Sequence, residues 1–318
     1  MNKKKYIFIS FVLSSLCFSN FCSDVDPVLV IKGVQSIREQ TPQSHIMIKY
    51  EYQDPFIYNT YYLDVIFERD NRYFSYTNSG ILEKWSFNGS EVLNVIYDKH
   101  PSVGIRNLGD SFAAFIFDPR ILGISAGMFK TDTVRTTLPY WKDGAVTELI
   151  GNDKINGRDV YHIKIRCSTN YIMEYWVDCF NYRVYKHIET VPNSYYRIVI
   201  SEYDNSYKWL PIKVIITQYS KDDVIQWKNI INIISYETNI NINKKIWTLT
   251  GLNAPKGADV VDHRIKQGLG YWDGKKIVPL HSKQAYESKV PKAILIAAMA
   301  IVFLAPLLVM LVRKLRKA

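Results

Sequence analysis

Alternating hydrophobic and polar residues fill most of the chain and predict a protein built mainly of β-strands. One amphipathic helix precedes them at 27–40, started by Pro27. Its apolar face consists of Val30, Ile31, Val34 and Ile37. Patterns rich in β-branched and aromatic residues then predict two sets of strands. The first set lies at 45–52, 60–68, 73–77, 82–87 and 92–97, and the second at 159–166, 171–177, 183–190, 195–203, 210–219, 224–235 and 246–249.

The strand sets are separated at 109–144 by a stretch that favours short helices and loops. Turn residues between the strands, such as Asn88-Gly89, favour hairpins and therefore a long antiparallel meander. A large meander must close or cover its edges. The expected fold is mainly β (α+β): a strongly curved antiparallel sheet or incomplete β-barrel with covering helices. Residues 24–288 contain no linker and no internal repeat, which favours one domain.

The N-terminus has the layout of a secretory signal peptide, predicted at 1–23. Three lysines precede an apolar run from Tyr6 to Phe18, and small or polar residues follow before Asp24. Cleavage after Ser19 or after Ser23 is compatible with the pattern. Lipid attachment at Cys17 or Cys22 is not expected, because neither cysteine follows a small residue.

A transmembrane helix is predicted at 293–312. Its 20 residues carry no charge and are enough to cross a hydrocarbon core of about 30 Å. Four of the six residues at 313–318 are basic, which predicts a cytoplasmic tail and places the domain at 24–288 outside. The alternative, a buried core helix, is disfavoured because a core helix seldom lacks polar residues for so long.

The net charge of +10 does not indicate a nucleic-acid partner. Residues 1–23 hold three lysines and residues 289–318 hold six basic residues, and neither segment contains an acid. The central region therefore has 31 basic against 30 acidic residues. Because a polyanion-binding domain keeps its positive charge in the folded part, nucleic-acid binding is excluded.

Candidate chemistry in the domain is sparse. Cys167 and Cys179 are predicted to form a disulfide across a hairpin if their Cα atoms lie within about 7 Å, the alternative being two separate thiols. Neither the six histidines nor the cysteines have metal-ligand spacing. The chain also lacks a nucleophile elbow, a phosphate loop and a dinucleotide fingerprint. We expect a noncatalytic protein without a cofactor or metal.

Six short segments, in this order, carry a resemblance to a known family. They are 68–74 (ERDNRYF), 85–89 (WSFNG), 117–123 (FDPRILG), 175–178 (YWVD), 209–211 (WLP) and 255–262 (PKGADVVD). The chain resembles the outer-membrane lipoprotein-sorting (LolA/LolB-like) family, especially its membrane-anchored planctomycete-type members. The resemblance implies an unclosed curved sheet whose apolar concave face, partly covered by helices, holds acyl chains.

The resemblance also implies positions for the binding site. Arg69 stands where the family has an arginine that governs lid closure, although Asp70 replaces the usual proline; a surface strand arginine is the alternative. Trp85, Phe87 and 61–63 are candidates for the cavity wall. Candidates for the lid are Phe112, Phe115, Ile116, Phe117, Ile121, Leu122, Ile124, Met128 and Phe129. For wall and lid alike, the alternative is ordinary packing against the sheet.

The function expected from these features is that of a tethered binding protein. It would hold a lipid or the acyl chains of a lipoprotein at the outer face of a bacterial inner membrane, with one membrane pass and its domain in the periplasm or another extracytoplasmic space. The alternative is an envelope sensor, regulator or structural ectodomain that binds a protein partner.

Overall fold

The computed structural model describes residues 25–69, 71–88, 91–107, 119–124, 145–167 and 171–279. The predicted helix is present as α1 (Pro27–Glu39). Asp26 caps it, because its carboxylate accepts a hydrogen bond from the Val28 N–H at 2.9 Å. Val30, Ile31 and Val34 are buried on the predicted apolar face. Local pattern and capping therefore agree at this end of the domain.

Sixteen strands form one sheet, so the prediction of a mainly β fold is confirmed. They are β1 (Ser44–Gln53), β2 (Tyr58–Glu68), β3 (Asn71–Asn78), β4 (Ile81–Phe87), β5 (Glu91–Tyr97), β6 (Ser102–Asn107), β7 (Val146–Ile155), β8 (Arg158–Arg166), β9 (Ile172–Asp178), β10 (Val184–Val191), β11 (Tyr195–Glu202), β12 (Lys213–Ser220), β13 (Ile225–Thr238), β14 (Asp259–Asp262), β15 (Gln267–Trp272) and β16 (Ile277–Pro279). The strand predicted at 246–249 is wrong, because a 3-10 helix occupies Lys244–Trp247.

The two strand sets join through the long antiparallel pair of β1 with β13, in which Ser44 lies opposite Thr238. The order is β16-β15-β14-β6-β5-β4-β3-β2-β1-β13-β12-β11-β10-β9-β8-β7, and among these described strands β14 and β6 form the only parallel pair. Within the described residues, β7 and β16 are the edge strands of the sheet. Each is paired on one side only, so the sheet does not close there.

The sheet curves around α1 and the short segment 119–124. This segment contacts β2, where the Arg120 guanidinium lies 5.0 Å from the centre of the Phe67 ring. It also contacts β9, where the Tyr175 hydroxyl donates to the Ile124 carbonyl at 3.3 Å. Strands β2 and β9 are six places apart in the sheet, so the sheet must bend round the segment. We call this the concave face.

Successive turns of the meander alternate between two rims of the sheet. We define the upper rim by the turns at 54–57, 79–80, 192–194 and 221–224. The lower rim contains the turn at Arg69 and the turn at 179–183. The far face of β3 to β6 is covered by residues such as Trp247, Leu249 and Leu252. On the concave face, Leu122 packs in the core with residues such as Phe87 toward the lower rim, and the upper-rim half of β1 to β3 lines a cavity.

In the part of the chain that the structure describes, no helix is long and apolar enough to cross a membrane. The predicted signal peptide at 1–23 and the predicted span at 293–312 both lie outside the described residues.

Candidate functional site

An apolar cavity of about 230 Å³ lies on the concave face, on the upper-rim half of β1, β2 and β3. Successive residues of a strand point to opposite faces, so every second residue of each strand faces the concave side, and those near the upper rim line the cavity. On β1, Tyr50 and Tyr52 continue the row that begins with the buried Ile46 and Ile48. The wall consists of Tyr50, Tyr52, Tyr61, Leu63, Phe74, Tyr76 and Asn78.

Contacts between aromatic rings stabilise the wall. The rings of Tyr50 and Tyr61 stack with centroids 5.8 Å apart, and Tyr76 meets Tyr61 edge to face at 6.2 Å. Phe74 stacks on Trp85 at 5.8 Å. Such pairs add about 0.5–1.5 kcal/mol beyond the area that they bury. These contacts connect the side chains of the wall across β1 to β4.

The tyrosines give the wall an uncharged surface. Burial raises the pKa of Tyr50 and of Tyr76 well above the ordinary value, and the neighbouring Glu83 adds to the effect on Tyr76. Both hydroxyls are therefore neutral at physiological pH. The only amide in the wall is Asn78, at the upper-rim end of β3. A ligand inside the cavity meets mainly hydrocarbon and aromatic surface.

The cavity-wall candidates from the sequence occupy three different environments. Tyr61 and Leu63 lie in the wall, whereas Tyr62 points to the other face of β2 and is 59% exposed. Trp85 is buried behind Phe74 and donates through Nε1 to the Glu83 carboxylate at 3.2 Å. Phe87 is fully buried in the core toward the lower rim.

The lid candidates fall in two groups. Ile121, Leu122 and Ile124 are buried packing residues: Leu122 joins the core of β1 to β5 and β11 to β13, and the other two pack against α1 and β8 to β10. None of the three lines the cavity. The others lie outside the described residues: Phe112, Phe115, Ile116, Phe117, Met128 and Phe129.

Arg69 is exposed in the β2–β3 turn at the lower rim, with a left-handed φ of 54°. The cavity lies toward the opposite rim, so the structure does not bring Arg69 to it. Arg69 directly follows the last residue of β2, as the predicted end of this strand at Glu68 requires, and it is a surface residue of the turn.

A buried arginine that sequence reasoning missed fixes the segment 119–124 inside the sheet. Arg38 is 2% exposed and donates through Nη1 to the carbonyls of Arg120 at 2.9 Å and Leu122 at 2.8 Å. Its guanidinium also lies 5.2 Å from the centre of the Trp209 ring. The signal was present in the sequence, because Arg38 lies four residues after Val34 on the apolar side of α1.

A second polar group lies inside the sheet on β10 and β11. His187 is fully buried and stacks on Tyr175 at 4.3 Å. Its Nε2 lies 3.8 Å from Glu189, whose other oxygen lies 3.5 Å from Arg197. Burial lowers the pKa of His187 to about 4, although Glu189 acts in the opposite direction. His187 is therefore neutral at pH 7, and neither ring nitrogen has a hydrogen-bond partner among the described residues.

The predicted disulfide is not formed, because the β8–β9 hairpin separates the two cysteines. Cys167 pairs with Tyr171 beside the upper rim, where its N–H donates to the Tyr171 carbonyl at 2.9 Å. Cys179 pairs with Asp159 at the lower rim, at 3.2 Å. Eight residues at about 3.3 Å each put them about 26 Å apart, far beyond the 7 Å limit. Within the described ranges, no three His, Cys, Asp or Glu side chains are grouped closely enough to hold a metal ion.

The fold and cavity define a class: a mainly β protein with one large curved, unclosed sheet and an apolar cavity on its concave face. No protein-family model matches the sequence, and no curated protein does. The structure is similar to a LolA superfamily protein from Nitrosomonas europaea, at 15% identity and a TM-score of 0.46, covering 71% of this chain and 98% of that one.

Two further solved structures show a similar level of likeness. A DUF1329 family protein from Desulfovibrio piger matches at 12% identity and a TM-score of 0.46, over 72% of this chain and 100% of that one. A putative outer membrane lipoprotein-sorting protein domain from Vibrio parahaemolyticus matches at 10% identity and a TM-score of 0.43, over 70% and 99%.

Proposed function

We propose that this protein is a noncatalytic, membrane-tethered binding protein that holds a lipid, or the acyl chains of a lipoprotein, in the cavity of its concave face. The observation that carries the proposal is the cavity wall, which has six aromatic or aliphatic side chains and one amide. Each methylene group that leaves water for such a surface contributes about 0.8 kcal/mol. An acyl chain gains more from this wall than a polar ligand does.

The volume of the cavity limits the size of the ligand that fits inside it. At about 230 Å³ it is smaller than a typical small-molecule pocket of about 300–1,000 Å³. It therefore suits one acyl chain, or the end of one, while the headgroup stays outside near Asn78 and the upper rim. The signal and span predicted from the sequence support a location at the outer face of the inner membrane, where such chains are present.

The test is whether the full chain retains a lipid after gentle extraction from membranes. Native mass spectrometry with enough collisional activation to remove loosely held lipids is expected to leave one lipid mass on the chain, recovered as lipid by extraction. A bare chain that also fails to take up an environment-sensitive acyl probe would contradict the proposal. The protein-partner or structural function would then take its place.

A further inference from the structure

The β1–β2 turn presents apolar side chains to solvent at the upper rim. Phe56 is 93% exposed, and Ile57 and Tyr58 beside it are also exposed. Burial of a phenyl ring contributes about 1.5–3 kcal/mol, so a ring left in water has no part in folding this domain. The three residues form what we call the apolar tip.

The apolar tip has a fixed shape. The Asp54 carboxylate accepts hydrogen bonds from the N–H groups of Phe56 at 2.8 Å and Ile57 at 2.7 Å, and the Asp54 N–H donates to the Ile57 carbonyl at 3.0 Å. On the flank, the Tyr58 hydroxyl donates to Glu51 at 2.6 Å. Phe56 is therefore held outward by a closed turn.

A second turn adds apolar surface at the same rim. Strand β13 pairs with β1, and Val224 at the end of the preceding turn and Ile225 at the start of β13 are exposed. The charges there are Lys221, Asp222 and Asp223, and the segment 55–58 carries none. With Asp54 included, these two turns carry one basic residue against three acidic ones, so electrostatic attraction to anionic lipid does not hold this rim to a membrane.

We propose that the apolar tip inserts into the boundary between headgroups and acyl chains of a lipid bilayer. Phenylalanine and tyrosine side chains are favoured at this depth, and contact of this kind depends on buried apolar area when basic residues are absent. A protein partner is the competing occupant, but the tip is three residues of one hairpin end, whereas a stable protein interface takes about 20–30 residues from each partner.

The connection between the apolar tip and the cavity favours a lipid surface. Tyr52 lines the cavity, and its hydroxyl donates to the other oxygen of Asp54 at 2.9 Å. The carboxylate that holds the tip in shape is thus hydrogen-bonded directly to a side chain of the cavity wall. With the tip in the bilayer, the cavity lies next to the source of acyl chains. Direct entry of an acyl chain from the bilayer into the cavity rests on the proposed function, whereas insertion of the tip does not.

The test is site-specific photocrosslinking of the full chain in phosphatidylcholine vesicles. One variant carries p-benzoylphenylalanine in place of Phe56. The matched control carries it in place of Phe180, which is 78% exposed at the lower rim. There the Asp178 carboxylate accepts from the N–H groups of Phe180 and Asn181 at 2.9 and 3.1 Å, so the two turns have the same construction.

Lipid adducts are expected about tenfold more often at position 56 than at position 180, with little change on adding salt or phosphatidylglycerol. Equal labelling at both positions, or protein adducts in place of lipid adducts at position 56, would overturn the inference. Failure of the proposed function can be distinguished from failure of this inference. If the cavity holds no lipid but the tip still enters the bilayer, the lipid crosslink at position 56 is retained.

Discussion

Substitution of Tyr61 by aspartate is expected to abolish lipid retention in the cavity. Tyr61 lies at the centre of the wall, between Tyr50 and Tyr76. The Tyr61→Asp change removes a ring from the contact surface and places a carboxylate where an acyl chain lies. Burial of an uncompensated polar group costs about 1–3 kcal/mol, and burial of a charge costs more. A cost of about 3 kcal/mol lowers the affinity for an acyl chain about 100-fold. Titration of the full chain with a fluorescent acyl probe measures it.

The adjacent residue supplies the control for this change. Tyr62 lies on the same strand but points to the other face, with its side chain exposed. Tyr62→Asp makes the same chemical change, one residue away, outside the cavity. Its probe affinity and its bound lipid should stay close to those of the unchanged protein. Equal losses in the two variants would mean that the cavity is not where lipid binds.

Acidification is expected to destabilise the protein through His187. The folded-state pKa of about 4 lies below the value near 6.5 of an unfolded chain. Between these values the unfolded chain binds the proton more readily than the folded chain does. The destabilisation by His187 is therefore negligible well above pH 6.5, grows as the pH falls, and is complete below about pH 4. At pH 5 it removes about 2 kcal/mol of the free energy of unfolding.

Replacement of His187 by phenylalanine isolates this contribution. His187→Phe keeps a ring stacked on Tyr175 and cannot be protonated. Urea unfolding of the full chain in a non-ionic detergent, followed by tryptophan fluorescence at pH 7 and pH 5, should show a shallower loss of stability in this variant. His100→Phe, in the exposed β5–β6 turn, is the control and should retain the full loss. Identical pH profiles for all three proteins would disprove the role of His187.

Local patterns were enough to predict much of the sheet, since alternation along a strand depends on which face is buried. The clearest cases are β1 and β2, whose alternating residues build both the core and the cavity wall. Short or edge strands such as β6, β7 and β16 carry weaker alternation and were missed. The segment 246–249 has a strand-like composition, but Asn243 caps a 3-10 helix there by accepting from the Lys245 N–H at 3.1 Å.

Contacts between distant parts of the chain were beyond the sequence. The pairing of β1 with β13 joins residues nearly 200 positions apart and decides which rows of side chains form one face. The cavity includes Tyr61 and Leu63 as predicted, but Tyr50, Tyr52 and Tyr76 enter it only through strand register. The predicted disulfide failed for the same reason, because spacing along the chain does not reveal that two cysteines occupy opposite ends of a hairpin.

The most direct test of the account is to locate the acyl chain on the protein. The full chain in native membranes is supplied with a fatty acid that carries a diazirine near its methyl end, irradiated, and digested for peptide mapping by mass spectrometry. The account predicts adducts on cavity-wall residues of β1, β2 and β3, such as Tyr50, Leu63 and Tyr76, and their loss in Tyr61→Asp. Adducts confined to the predicted span at 293–312, with none on the cavity wall, would contradict it.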